Sequence, residues 1–415
     1  MEVKGLSNKI IWISTVFLLS AVTIFESYSW GKYILILICA IIILVDTWTH
    51  KGKYRYKISG YQFFIAGLSI YSLLSSTWGI NSQDCIVKAY TYLQILICMS
   101  VVYNHFIQFE DVKQLLSIVK WSSYIISIYS ILYYGYGFVM QMIVAGVRLD
   151  NTYSNVNTIG MLAAIGIIIQ LDEIKRKHKF LLSTFFCIPS FIMVLATQSR
   201  KALIMLILGT VAVLIFRSVQ KGKILFSILK IFIVGIVAIV LIKYILSFSA
   251  FAGINHRMES MFAMFTGKGK IDHSTLLRQQ LIDLGLQIFK SNPIIGIGMG
   301  CPHIVAGQRL HFDAYLHNNF FEILAAGGMM GFLFYYGCSY VYLIYKFVKL
   351  NKYRDETYVI CAILLGILLF RDYAMVSLYS KEMYFYFMIL FLTVKKMDER
   401  KKYRKIKNDE NKQNI

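Results

Sequence analysis

Long apolar runs follow one another through the chain, with only short polar breaks between them. A helix that crosses the hydrocarbon core of a bilayer needs about 20 predominantly apolar residues, and these runs approach that length. Because a helix also satisfies its own backbone hydrogen bonds inside the bilayer, we predict an all-α polytopic membrane protein with about twelve transmembrane helices. The predicted spans are 10–25, 33–48, 61–79, 86–103, 118–139, 156–171, 180–197, 201–217, 224–248, 319–345, 356–370 and 383–395.

The composition agrees with a single integral membrane domain over residues 1–415, since 57% of the residues are hydrophobic and 15% are aromatic. No small-residue cleavage site follows the first run, which predicts a retained helix rather than a signal peptide. The seven cysteines show no CxxC spacing. Five of them lie in apolar runs, where cysteine usually acts as a small core residue, so neither a disulfide framework nor a cysteine metal site is predicted.

The formal net charge of +21 comes largely from basic residues in every second loop between the predicted spans. Such loops face the cytoplasm under the positive-inside rule, with some attraction to anionic membrane lipids. Both termini are then cytoplasmic, and 396–415 is predicted to be a basic, disordered tail. This pattern accounts for the positive charge, so nucleic acid is not predicted as a partner. The basic loop residues are Lys51, Lys53, Arg55, Lys57, Lys175, Arg176, Lys177, Lys179, Arg217, Lys221, Lys223, Lys346, Lys349, Lys352 and Arg354.

The large extracytoplasmic loop between predicted helices nine and ten, 249–318, is too long for a simple connector. Its stretch Thr275–Lys290 predicts an amphipathic helix, which Ser291-Asn292-Pro293 ends. Such a helix can lie on the membrane surface and roof a cavity. Three glycines at 296, 298 and 300 follow no predicted strand, so we predict a tight turn rather than a dinucleotide site. The apolar stripe of the helix consists of Leu277, Leu281, Leu284 and Ile288.

Three arginines lie on the predicted outer face, where the positive-inside rule does not account for them. They are Arg148 before span six, Arg200 at the sharp bend between spans seven and eight, and Arg278 in the loop helix. Each arginine alone could reach lipid phosphate or pair with an acid. Together they suit a pyrophosphate-bearing lipid, because the guanidinium group is permanently charged and binds phosphate oxygens in bidentate fashion.

A polar helix start at His317, Asn318, Asn319 and Glu322 follows the long loop. A neutral imidazole at this place could accept a proton from a sugar hydroxyl near pH 7. His303 and His311 are weaker candidates for the same role. A metal site built from the three histidines is the alternative, but no carboxylate has a convincing ligand spacing, so no metal or other cofactor is predicted.

The last third of the chain resembles the O-antigen ligase/polymerase superfamily of bacterial membrane glycosyltransferases. The family pattern combines an arginine helix, a P-x-x-G-x-G turn and an H-N-x-x-x-E start of a span that continues to G-x-x-G. The matching residues are Arg278, Pro293, Gly296, Gly298, His317, Asn318, Glu322, Gly328 and Gly331. Upstream, Ser199-Arg200 resembles the family's Ser-Arg element, and Arg148 with Asn155 and Asn157 its arginine-to-asparagine element.

The resemblance implies a GT-C-like fold and a donor glycan carried on undecaprenyl pyrophosphate at the outer face of the bacterial plasma (inner) membrane. It implies a glycosyltransferase that needs no metal and works beside a flippase and a chain-length regulator of the same pathway. Arg200 and Arg278, with Arg148, would hold the pyrophosphate. His317 would orient or deprotonate the acceptor hydroxyl, Glu322 would support it, and Asn318 would contact the substrate.

Three activities remain open within the superfamily: polymerisation of repeat units into O-antigen, capsule or exopolysaccharide, ligation of finished glycan to the lipid A core of lipopolysaccharide, and transfer to protein. We favour the polymerase. A polysaccharide flippase is the alternative from another class, although the two halves show no repeat and the charges gather on one face. A cytoplasmic nucleotide-sugar transferase is disfavoured, because no inner loop is long enough for a nucleotide-binding domain.

Overall fold

The computed structural model describes residues 2–50, 56–109, 111–177, 185–219 and 273–413, with the isolated positions 233, 236, 240 and 244. It is 82% helical, and no strand occurs among the described residues. We number the described α-helices in chain order. They are α1 (Glu2–Ile24), α2 (Gly31–His50), α3 (Gly60–Leu74), α4 (Ser82–Phe109), α5 (Val112–Tyr134), α6 (Tyr136–Val144), α7 (Val156–Lys177), α8 (Ile188–Ala196), α9 (Arg200–Val219), α10 (His273–Ser291), α11 (Pro302–Leu310), α12 (Asn319–Tyr336), α13 (Tyr342–Leu350), α14 (Tyr358–Ala374) and α15 (Lys381–Gln413).

Within the described residues, six candidate spans are long and apolar enough to cross a membrane, so the chain is a polytopic helical membrane protein. They are Leu6–Ile24, Gly31–Thr49, Ser82–Gln108, Val112–Tyr134, Val156–Arg176 and Asn319–Tyr353. Each overlaps one of the twelve predicted spans. The predicted span 224–248 and the loop residues 249–272 lie outside the described residues, apart from the four isolated positions.

The predicted span 118–139 is wrong in its extent, because the apolar run forms two helices. Helix α5 ends at Tyr134, and Gly135 then adopts φ +85°, a left-handed conformation that favours glycine. The chain continues as the short helix α6, of nine residues. A single glycine thus ends the span about one turn earlier than the hydrophobicity alone predicts.

The first of two compact units comprises Met1–Val45 and Leu116–Leu277. Helix α7 packs against α8 and α9 in this unit. Small residues allow these helices to approach closely, as is usual in membranes, where packing replaces the hydrophobic drive. Gly160 faces Thr197 and Ala202, and Gly209 faces Ile168. At one end of α7, the buried carboxylate of Asp172 accepts hydrogen bonds from Arg176 and Arg217.

The second unit comprises Asp46–Leu115 and Arg278–Ile415. Its core is built by α3, α4, α12 and α15, whose aromatic rings contact one another. Phe64 lies within 6.5 Å of five other rings, measured between centroids. The five rings belong to Phe334, Tyr335, Tyr384, Phe387 and Phe391.

The predicted tight turn is inserted into a break of helix α12. Gly328 interrupts this helix with φ +59°. Backbone groups on both sides of this break form hydrogen bonds with the turn instead. Ile297 N–H donates to Ala325 O at 3.0 Å, and Met329 N–H donates to Pro293 O at 2.8 Å. A Cβ on Gly296 would lie 2.5 Å from the Ala326 backbone. The turn at 293–300 and the helix break at Gly328 therefore form one junction. Backbone groups of the turn hydrogen-bond to the backbone groups that the break leaves without a helical partner, as a membrane interior requires.

Two further segments differ in detail from the sequence-based expectations. The amphipathic helix predicted at Thr275–Lys290 is present as α10, which spans His273–Ser291 and is therefore slightly longer at both ends. The tail after Lys395 was expected to be disordered, and this is wrong, because α15 continues to Gln413. Its Lys, Arg and Glu residues favour helix, and ion pairs from Arg400 to Asp355 and from Lys346 to Asp398 hold it.

Candidate active site

Two of the predicted arginines belong to the first unit, where their sequence elements meet. Ser199 donates to the Asn157 side chain at 3.0 Å, which joins the Ser-Arg element to the arginine-to-asparagine element. The bend before Arg200 is tightly built, because Gln198 has a left-handed backbone (φ 46°) and Ser199 is buried. Such a conformation is costly for a residue with a side chain and often marks a functional site.

Arg200 is the first residue of α9 and is half-buried. Its guanidinium group donates to the Thr275 hydroxyl at 3.3 Å. Arg148 is also half-buried, and its Nε and Nη2 atoms are shielded from solvent. Both arginines are therefore held by the protein rather than extended into solvent.

The other four predicted site residues, Arg278, His317, Asn318 and Glu322, belong to the second unit. Arg278 lies in the second turn of α10 and is half-buried. Three residues of the α10 apolar stripe, at 281, 284 and 288, are buried. This stripe faces protein and fixes the orientation of the helix that bears Arg278.

His317 is half-buried and has a left-handed backbone with φ 58°. The residues on either side of it are anchored. Leu316 N–H donates to Glu322 Oε2 at 3.0 Å, and the Asn318 side chain caps α12 by accepting from Phe320 N–H at 2.9 Å. Asn318 also donates to the Tyr373 carbonyl at 3.1 Å. The imidazole therefore projects from a backbone that its neighbours hold in a strained conformation.

Glu322 is fully buried in the first turn of α12. Its Oε2 atom holds the His317 loop through Leu316, and no described residue donates to its buried Oε1 atom. Lys88 and His303 lie near this carboxyl group. Glu322 thus combines a positioning role with an oxygen that remains available to a further hydrogen-bond donor.

A polar and aromatic group beside Glu322 includes residues that the sequence analysis did not select. Lys88 donates to the Tyr315 hydroxyl at 3.0 Å, and its ammonium lies 4.5 Å from the Tyr379 ring centroid. His303 contacts two carboxylates, Asp313 at 2.6 Å and Asp84 at 3.3 Å. A charged Lys88 and Asp84 in the first two turns of an apolar span were the signal available in the sequence.

Asn319, the second asparagine of the motif, connects the site to the loop after α14. Its Oδ1 atom accepts from Ser377 N–H at 3.0 Å and from Leu378 N–H at 2.8 Å, and its amide donates to the Tyr336 hydroxyl. Tyr336 in turn donates to the buried Asp372. The neighbouring Arg371 pairs with Glu382. These buried charges were also missed, although Arg371-Asp372 interrupts an apolar helix.

The histidine metal site was the open alternative. His303 is paired with carboxylates as described above, and His311 ends α11 with a left-handed backbone, φ 52°. Within the described part of the chain, no group of three or more His, Cys, Asp and Glu side chains has an arrangement that could hold a metal ion.

In a comparison with known families, residues 182–336 match a family described as O-antigen ligase. This confirms the resemblance to the O-antigen ligase/polymerase superfamily. The matched segment contains five of the six predicted site residues, and Arg148 lies before it. The match supports a glycosyl-transferring activity of the ligase/polymerase type and does not separate the two. A search of curated proteins found no match.

Proposed function

We propose, from the O-antigen ligase domain at 182–336, that the chain polymerises oligosaccharide repeat units carried on undecaprenyl pyrophosphate. The reaction is placed at the outer face of the bacterial plasma membrane. The observation that carries the proposal is the strained, doubly anchored His317 at the start of the broken helix α12. A protein maintains such a conformation where the position of a side chain matters.

The proposed reaction is a substitution at the anomeric carbon of the donor glycan. The acceptor hydroxyl oxygen forms the new glycosidic bond while the bond from the anomeric carbon to the phosphate oxygen breaks. The electron pair of that bond leaves on the lipid pyrophosphate. The hydroxyl proton passes to the neutral imidazole of His317, whose loop is held by Glu322. Asn318 is proposed to border the glycan while its amide caps α12.

The pyrophosphate gains negative charge as it leaves. Arg200 and Arg278, with Arg148, are proposed to bind it, because guanidinium groups donate bidentate hydrogen bonds to phosphate oxygens. Donors that are already positioned where charge develops lower the barrier without reorganisation. The half-buried state of all three arginines supports this proposal, since partial removal of water strengthens their interaction with an anion.

Contacts between the loops support the proposed sidedness. Within the first unit, Ser27 of the first predicted outer loop donates to the Tyr153 carbonyl at 2.7 Å. Within the second unit, Ile80 N–H donates to Ile297 O at 3.0 Å, and Asn318 reaches Tyr373. Residues predicted for the opposite side also meet, as Arg400 and Asp355 do. We propose that the site faces outward and that both termini are cytoplasmic.

A strain whose only copy of the protein has His317→Ala tests the proposal. We expect the ladder of surface polysaccharide on a gel to collapse to a single repeat on its acceptor, with the variant present at normal level in the membrane. Loss of all acceptor-linked glycan, with long chains retained on the lipid carrier, would identify a ligase instead. An unchanged ladder would falsify the catalytic role of His317 and return the flippase to consideration.

A further inference from the structure

Two cysteines that are 216 positions apart in the chain meet in the second unit. Cys85 lies in the first turn of α4, and Cys301 directly precedes α11. Their Sγ atoms are 3.7 Å apart, and both side chains are fully buried. No disulfide was predicted from the sequence, because the cysteines show no CxxC spacing and five of them lie in apolar runs.

The segments around the two cysteines are joined by hydrogen bonds, so the approach of the sulfurs is part of the fold. Ile80 N–H donates to Ile297 O at 3.0 Å, and Met299 N–H donates to the Ser75 hydroxyl at 3.1 Å. The Cys301 thiol itself donates to Asn81 O at 3.5 Å. These contacts fix the turn that precedes α11 against the start of α4.

Two glycines lie directly against the sulfurs. A Cβ on Gly298 would lie 2.9 Å from Cys85 Sγ and 3.0 Å from Cys301 Sγ. A Cβ on Gly79 would lie 2.7 Å from Cys85 Sγ. Two glycines, one from each segment, thus enclose the sulfur pair. A side chain at either glycine would therefore collide with a sulfur.

We propose that Cys85 and Cys301 form a disulfide bond in the mature protein. The inference rests on the proposed topology, which places both residues on the outer side of the membrane, where disulfides form and persist. The sulfurs then approach to about 2.0 Å. The bond fixes the turn at 293–300, and with it the break of α12, to helix α4.

The bond forms by thiol–disulfide exchange with a protein oxidant of the extracytoplasmic space that contains its own disulfide. The two thiols lose two protons and two electrons to form one S–S bond, and the oxidant's disulfide is reduced to a dithiol. Both sulfurs are buried in the folded protein. Oxidation therefore precedes the final packing of α11 against α4.

The test is mass spectrometry of protein from cells treated with N-ethylmaleimide before lysis and kept free of reductant. We expect the peptides that contain Cys85 and Cys301 to be joined, two hydrogen atoms lighter than their sum, and to separate on reduction. Cys85→Ser should leave Cys301 reactive in the unfolded protein. Cys338→Ser, which removes an exposed cysteine, should leave the joined peptide unchanged. Maleimide on both residues of the unfolded, unreduced wild type overturns the proposal.

Thermal unfolding in detergent gives an independent measurement. With a disulfide, Cys85→Ser, Cys301→Ser and the double variant lose the same number of degrees in Tm, and wild-type protein from cells grown with reductant has the same lowered Tm, because the bond is then blocked before the sulfurs are buried. If the thiols only pack together, growth with reductant leaves the wild-type Tm unchanged, which overturns the disulfide. Neither measurement uses polysaccharide as its readout. A joined peptide together with an unchanged His317→Ala ladder would reject the proposed function and retain the disulfide.

Discussion

His317 and His311 are a natural pair for comparison, because both have a left-handed backbone within one short stretch. Such a conformation costs a residue with a Cβ roughly 1–2 kcal/mol. Glycine would relieve this cost and remove the imidazole in the same step. Glycine substitutions at the two positions therefore distinguish the need for a left-handed backbone from the need for an imidazole.

We predict that His317→Gly and His311→Gly both keep a Tm within a few degrees of the wild type, since relief of strain offsets the added freedom of the unfolded chain. Only His317→Gly should abolish the polysaccharide ladder. Melting curves in detergent and a gel of surface glycan measure the two effects. Loss of the ladder in both variants, or in neither, contradicts the assignment of His317.

Arg278 has a matched control in Arg309, an exposed arginine on α11 that contacts Gln287 at 3.4 Å. Arg278→Ala should lower the transfer rate by about 10²–10³, as the removal of one oxyanion donor does. Arg278→Lys should recover only part of the rate, because lysine keeps the charge but lacks the bidentate geometry. Arg309→Ala should have no effect. Glycan transfer by purified protein in liposomes measures these rates, and equal losses at both positions would reject the pyrophosphate role.

Helix α12 shows how an element can depend on one backbone position. Its break at Gly328 receives the turn 293–300, and a Cβ at this glycine would overlap the Ile294 backbone. The same helix ends before Gly337, which has helical φ and open space around its Cβ position. The two glycines differ in conformation and surroundings while sharing one apolar segment.

Gly328→Ala should therefore destabilise the protein by several kcal/mol, since it adds a left-handed strain of roughly 1–3 kcal/mol to a backbone clash. Gly337→Ala should leave stability unchanged or raise it by about 1 kcal/mol, because alanine favours helix. Size-exclusion profiles and melting curves of the two variants provide the comparison. A Gly328→Ala protein as stable as Gly337→Ala would show that the junction does not hold α12.

The whole molecule has a proposed orientation that two exposed positions can test. Gln308 on α11 and Lys402 on α15 are both exposed and belong to the second unit. In intact cells, Gln308→Cys should react with a maleimide that does not cross membranes. Lys402→Cys should react only after permeabilisation. The reverse labelling pattern would place the site in the cytoplasm and exclude an outward-facing polymerase.

The sequence by itself determined the class of this protein. Runs of apolar residues and alternate basic loops identify a polytopic helical membrane protein, since bilayer thickness sets the length of a span. The short motifs at 278–331 predicted a resemblance to the O-antigen ligase/polymerase superfamily, and residues 182–336 match a family described as O-antigen ligase. These features are local in the chain, and for that reason they can be read without a structure.

Tertiary structure alone decided which distant segments meet. Three features join residues that are far apart in the chain: the contact between the Cys85 and Cys301 sulfurs, the insertion of the turn into the break of α12, and the hydrogen bonds from Ser377 and Leu378 to Asn319. Hydrophobic patterning places each helix in the membrane but does not choose its neighbour, because lipid and protein interior are similarly apolar. Polar contacts and small residues make that choice, and because they join residues distant in the chain, no local motif reveals them.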